Sequence, residues 1–145
     1  MRIFVKIIIF LILIPSKSFG LIEVDITRGN LDPLPIAVSP LSIDENSKQN
    51  FEKILKKKNI GDEISKIIEV NLKTSGLFNP LNKDAFLQAP DIANLKPRFE
   101  DWNLIKAQAL ITGKVNYVDE KLRVEFRLWD ILAGREMMAL AFTTV

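Results

Sequence analysis

Three kinds of hydrophobic patterning succeed one another along the chain. Residues 7–14 are an unbroken apolar block, Ile7-Ile8-Ile9-Phe10-Leu11-Ile12-Leu13-Ile14. Residues 21–27 and 110–145 alternate with a period of two, which predicts half-buried strands. Residues 61–76 repeat with the period of an amphipathic helix.

In the first alternation, Ile22, Val24 and Ile26 point one way and Glu23, Asp25 and Thr27 the other. Arg28-Gly29-Asn30 breaks it. The run Pro35-Ile36-Ala37-Val38-Ser39-Pro40-Leu41 predicts a second short strand, apolar enough to be covered on both faces. Asp44 to Lys58 is polar. Phe51, Ile54 and Leu55 give it a thin stripe that predicts a marginal surface helix. From Gly61 to Gly76 the stripe is stronger: Ile64, Ile67, Ile68, Asn71 and Leu72 share a face. Asp62 is the expected N-cap, and Glu63 suits the positive end of the helix dipole. Ser75-Gly76-Leu77 predicts a Schellman close, with Gly76 left-handed and Leu77 folded back on Leu72. Phe78-Asn79-Pro80-Leu81 leaves in extended form, because Asn79 precedes a proline.

Lys83 to Pro97 reads as irregular, with one helical turn at Asp84-Ala85-Phe86. Phe99 to Ala107 reads as a short helix burying Phe99, Trp102 and Ile105. Leu110–Val118 and Lys121–Trp129 form a hairpin about Asp119-Glu120. In its second strand Leu122, Val124, Phe126 and Leu128 face inward, and Lys121, Arg123, Glu125 and Arg127 face outward. Arg135 to Val145 is a third meander strand. The expected class is α/β in the α+β sense. It has a small mixed or antiparallel sheet of about five strands, with two helices packed on one face.

The amino end changes the reading of charge. Arg2 and Lys6 precede the apolar block, Pro15 ends it, and Ser18-Phe19-Gly20 supplies small residues before a cut. Residues 1–20 therefore read as a signal peptide cleaved near Gly20, with 21–145 a single exported domain. The block is too short for a bilayer span, which takes about 20 apolar residues. The whole chain carries a net charge of +2. Without Arg2, Lys6 and Lys17, 17 cations face 18 acids and the charge becomes about −1. A nucleic-acid role loses its support, since phosphate binding needs clustered excess cations.

Chemistry is restricted by two absences. The chain has no cysteine and no histidine. Disulfides, thiolate chemistry and the commonest general base and metal ligand are excluded. No cofactor or metal site is expected. Asp62 and Glu63 are helix-start acids before they are an acid/base pair. Glu23 and Asp25 stand about 7 Å apart by strand rise. That spacing admits a small exported hydrolase or carbohydrate-binding enzyme. Lys53 to Lys58 could serve a nucleic-acid binder or an anionic surface, against the simpler reading of a solvated face. Gly113 within a strand marks a bulge or a close helix-to-sheet contact. Trp102 and Trp129 are core anchors first. The segment Leu21, Ile22, Glu23, Val24, Asp25, Ile26, Thr27 stands apart. Tethered at one end after cleavage, it is either an ordinary first strand or a segment that leaves to pair with a partner's sheet edge.

With these residues in place, the chain resembles the amino-terminal domain of the TolB family, the periplasmic component of the bacterial Tol-Pal system. The resemblance rests on Ile22-Glu23-Val24-Asp25-Ile26-Thr27-Arg28-Gly29, then Pro35-Ile36-Ala37-Val38. It continues through Asn71-Leu72-Lys73-Thr74-Ser75-Gly76-Leu77-Phe78-Asn79-Pro80-Leu81. It closes with Ala109-Leu110-Ile111-Thr112-Gly113 and Val124-Glu125-Phe126-Arg127-Leu128-Trp129-Asp130. It implies a non-enzymatic periplasmic bridge between an inner-membrane energised complex and an outer-membrane lipoprotein, serving envelope integrity and constriction at division. It further implies that Leu21 to Thr27 binds TolA. The family continues into a β-propeller that contacts Pal, and no blade repeats occur here, so the chain reads as a truncated piece. The insert 44–58 is also longer and richer in lysine than the family pattern.

Overall fold

The computed structural model describes residues 32–56 and 59–144. The segment 1–20 and the strand expected at Leu21–Thr27 lie outside the described residues. The proline-bracketed run forms β1 (Leu34–Val38) and then the two-residue β2 (Ser42–Ile43). Helix α1 (Glu45–Asn50) widens into a π turn, Phe51–Leu55. Helix α2 (Ile60–Thr74) leads to β3 (Phe78–Pro80) and a 3-10 turn at Lys83–Ala85. Two six-residue helices follow, α3 (Pro90–Leu95) and α4 (Phe99–Leu104). The chain finishes in a meander of β4 (Ala109–Val118), β5 (Lys121–Asp130) and β6 (Arg135–Thr143).

The sheet has six strands in the order β3-β1-β4-β5-β6, with β2 also paired to β4. It is mixed, as expected. β1 runs parallel to β3 and β4, pairing Ile36 with Pro80 and Ala109. The β4–β5–β6 meander is antiparallel. Asp119 and Glu120 both adopt positive φ, the two-residue turn that suits the right-handed twist of a hairpin. The strands beyond expectation, β2 and β3, are two and three residues long. Runs that short leave no periodicity to read.

The strand registers place Ala37, Leu110, Thr112 and Trp129 on one face. Ile111, Val115, Val124 and Phe126 lie on the other. Both faces carry a core. Trp102, Leu110, Trp129 and Ile131 pack on the first with Phe86 and Phe99. Leu41, Phe51, Ile60 and Val115 pack on the second with Ile64 and Ile68. The mixed α/β class stands, but the helices divide between the faces instead of sharing one. A helix stripe shows that a face must be buried, and not which side of a sheet receives it.

Both ends of α2 depart from expectation in instructive ways. The N-cap is Asn59, not Asp62, and it makes no side-chain cap bond. Ile60 is drawn into the core at 8% exposure, which starts the helix earlier. Asp62 falls in the first turn, where its carbonyl accepts from Ser65 Oγ at 2.9 Å. At the far end Gly76 takes φ +73°, and its N–H donates to Lys73 O. Leu77 does not fold back. Its N–H donates to Ser75 Oγ, and its side chain stays exposed.

Gly61 sits directly against the backbone carbonyl of Leu41, closer than any Cβ tolerates. Alanine in a helix normally gains about 1 kcal/mol over glycine. Here Gly61→Ala is expected to destabilise by about 1–3 kcal/mol through overpacking, read as a lower urea midpoint. An unchanged or raised midpoint would contradict this contact.

Asp44 caps α1 by accepting from Ser47 N at 2.9 Å and from Ser47 Oγ at 2.7 Å. Ser47 Oγ in turn accepts from Tyr117 N at 2.7 Å, which ties α1 to β4. The Ser47 hydroxyl, then its amide, holds the Asp44 carboxyl below its ordinary 3.8. The ionised form therefore stabilises the fold above that value. This contribution disappears as pH falls through the lowered one. Asp44→Asn is expected to lessen the loss of stability on acidification below about pH 4, measured by thermal melts across pH.

Candidate interaction surface

The described residues assemble no catalytic constellation from the sequence candidates. Glu23 and Asp25 lie outside them. Asp62 and Glu63 occupy the first turn of α2, as helix-start acids do. Lys53 and Lys56 are exposed, Lys56 at the left-handed end of the π turn. Among the described residues no group of three or more acids could hold a metal.

One polar cluster escaped sequence reasoning. Lys83 Nζ donates to Ser65 Oγ at 2.7 Å and lies 3.1 Å from Glu69 Oε1. The spacing superficially matches a serine–lysine dyad. The chemistry does not: the amine is the donor, a carboxylate holds it, and the Ser65 hydroxyl is fully buried. The cluster fastens the 3-10 turn to α2. A serine at 65 and a lysine at 83 carry no local signal that they meet.

Both tryptophans are core anchors. Trp102 Nε1 donates to Gln88 Oε1 at 2.6 Å, and Trp129 Nε1 donates to Thr112 Oγ1 at 2.9 Å. Phe86 and Phe99 meet them edge to face. Gly113 makes a close contact, but not the expected one with a helix: an added Cβ would clash with the Glu125 carbonyl of β5 and stand 3.2 Å from Leu41 Cγ in the segment between β1 and β2.

The most distinctive surface is the β6 end of the sheet. Met138, Leu140 and Phe142 are 47%, 48% and 58% exposed. Their partners across the strand are Leu128, Phe126 and Val124. Helix α2 covers the β1 and β3 side and stops short of them. The result is a groove of about 270 Å³ lined by Ile68, Ile111, Phe126, Leu128, Met138 and Leu140, with Arg127 at its rim. On the opposite face Ala139 and Ala141 pair with Arg127 and Glu125. Arg123 holds Glu125 at 2.9 Å and Arg127 holds Glu136 at 3.3 Å. The bond from Arg123, with help from Lys114, keeps the Glu125 carboxyl below its ordinary range. The sequence signal for this surface is the run 137–142. It alternates apolar with small residues and lacks the charged face that β5 carries.

These features define a class: a small mixed α/β domain with both faces of its sheet centre covered and, among the described residues, one long edge strand bare. The TolB amino-terminal domain matches residues 22–137, and the chain belongs to that family. A curated relative from Pelagibacter ubique (strain HTCC1062), the Tol-Pal system protein TolB, is 77% identical over 137 residues. That match takes in 94% of this chain and 31% of the relative, so the chain spans less than a third of the relative's length. Among solved structures, TolB from Acinetobacter baumannii superposes with a TM-score of 0.53 at 17% identity, over 75% of this chain and 22% of that one. The LpoB C-terminal domain from Escherichia coli superposes with a TM-score of 0.55 at 11% identity, over 81% and 86%. At these identities the two structures establish the fold alone.

Thr112→Val keeps shape but leaves the buried Trp129 indole N–H without its acceptor. It is expected to cost about 1–3 kcal/mol, measured by chemical denaturation. A neutral result would show that the bond between Thr112 and Trp129 carries no weight.

Proposed function

We propose that the chain is a periplasmic protein–protein interaction module of the Tol-Pal system, not an enzyme. The observation that carries this reading is the family match across residues 22–137, supported by 77% identity to a Tol-Pal system protein. In this reading the leader is removed near Gly20. The freed segment Leu21–Thr27 then docks on TolA as an added strand. Its main chain supplies hydrogen bonds, and Ile22, Val24 and Ile26 on one side with Glu23 and Asp25 on the other supply specificity. The Pal side of the bridge belongs in this reading to the family's β-propeller, and no residue of 21–145 is assigned to it. The role served is envelope integrity and constriction at division. No observation favours the hydrolase alternative.

The test compares chains beginning at residue 21 and at residue 28 for binding to purified TolA by isothermal titration calorimetry. The shorter chain is expected to bind at least about tenfold more weakly, a loss of about 1.4 kcal/mol, with its melting temperature preserved. Equal binding by the two chains would overturn the assignment of the docking segment.

A further inference from the structure

The two edges of the sheet are unlike. The β3 edge is three residues long and ends on Pro80, which has no N–H to offer a neighbour. The β6 edge runs for nine residues, contains no proline, and from Met137 to Thr143 carries no charge. Natural sheets blunt a long edge with prolines, inward-pointing charges or a covering element. Among the described residues β6 has none of these; its one bulge, opposite Leu128/Trp129, lies near its start and leaves Met138 to Thr143 in regular pairing, and it is the terminal strand of the sheet.

We propose that β6 is an acceptor edge for an extended segment of a partner protein in which apolar residues alternate with acidic ones. The alternation follows from the two faces. A seventh strand beside β6, about 4.8 Å away, sends successive side chains to opposite sides. On one side they would meet Met138, Leu140 and Phe142 and the groove reaching to Ile68. This side calls for apolar residues. On the other side Ala139 and Ala141 leave a shallow basin flanked by Arg123 and Arg127. The strand registers give that face Lys114, Lys121, Arg123 and Arg127 against Glu125 and Glu136. Arg123 and Arg127 are 46% and 39% exposed. Each guanidinium has five N–H donors. Binding one glutamate leaves donors for a second carboxylate. Acidic residues therefore complement this side. The surface is built from residues other than Leu21–Thr27, and the proposal stands whether or not that segment binds TolA.

The test uses two fluorescein-labelled peptides matching the nine residues of β6, one alternating valine with glutamate, the other valine with lysine. Fluorescence anisotropy with the whole chain is expected to show binding of the glutamate peptide and roughly tenfold weaker binding of the lysine peptide. The affinity for the first should fall as salt screens the arginines. Arg127→Glu is expected to narrow or reverse the preference, and Leu140→Asp to remove binding. Both sites are exposed, so the circular dichroism spectrum should be retained. If either variant fails to fold, amide chemical shifts of the unaltered chain decide the matter. Perturbations centred on β6 and residues 122–128, with or without the groove residues Ile68 and Ile111, support the proposal, and perturbations centred on α2 or β3 overturn it. Equal binding of the two peptides, no binding, or a dimer that Leu140→Asp dissolves would also overturn it. The last would identify a second copy as the occupant.

Discussion

Leu41 is held between two glycines, and the arrangement of both layers above the second face follows from that contact. Its carbonyl lies against Gly61 at the start of α2, and its side chain lies over Gly113 in β4. Its N–H donates to the Gly61 carbonyl at 3.3 Å. Helix, crossover segment and strand meet there with no room for a single added methyl. Fastened at that point, α2 extends about 22 Å over β1 and β3 before Gly76 stops it. It cannot also cover β5 and β6. The bare groove at the β6 end is thus the geometrical counterpart of tight packing at the other end.

Coverage of the sheet is graded from one edge to the other. Around β1 and β4 both faces are buried: Ala37, Leu110 and Val115 are shut off from solvent. The polar groups there find partners inside the protein, Trp129 with Thr112 and Tyr117 N with Ser47. Such satisfied groups cost little to bury, whereas orphaned ones would cost about 1–3 kcal/mol each. By β6 no side chain is buried. A surface of that kind gains from any strand or apolar side chain laid on it.

The strongest periodicities were legible from residues alone. The β4–β5 hairpin and α2 appear where the alternation and the 3.6-residue stripe place them, because long segments average over local accidents. Shorter features were not. α3 lies in a region read as irregular, since Pro90 and Pro97 look like breaks. Proline is well tolerated at a first helical position, and Pro90 opens the helix there. In the insert, Ile54 is 57% exposed while Ser47 is 2% exposed. Apolarity found Phe51, which is 1% exposed, but misplaced Ile54 and missed Ser47, because a hydrogen-bonded serine can be buried as readily as an isoleucine. The segment proposed to dock, 21–27, falls outside the described residues. The β6 surface was visible only as another strand. Alternation identifies two faces, and neighbours distant in sequence decide which is covered.

That bare surface is a specified feature of the fold and not a result of loose pairing. A one-residue slip of β6 would turn Met138, Leu140 and Phe142 toward the arginine face and bring Ala139 and Ala141 over the groove. Two features oppose it. The register shift at Leu128/Trp129 places two residues, Met137 and Met138, where one would otherwise sit, and such bulges pin pairing. The Arg127–Glu136 ion pair, 3.3 Å across the strands, adds a small preference for the same offset. On the other face Val124 and Phe126 pack against the second core, and a slip of β5 would pull them off it. The orientation of the groove is therefore set by apolar burial under the neighbouring part of the sheet, with the charges on the opposite face in accord with it.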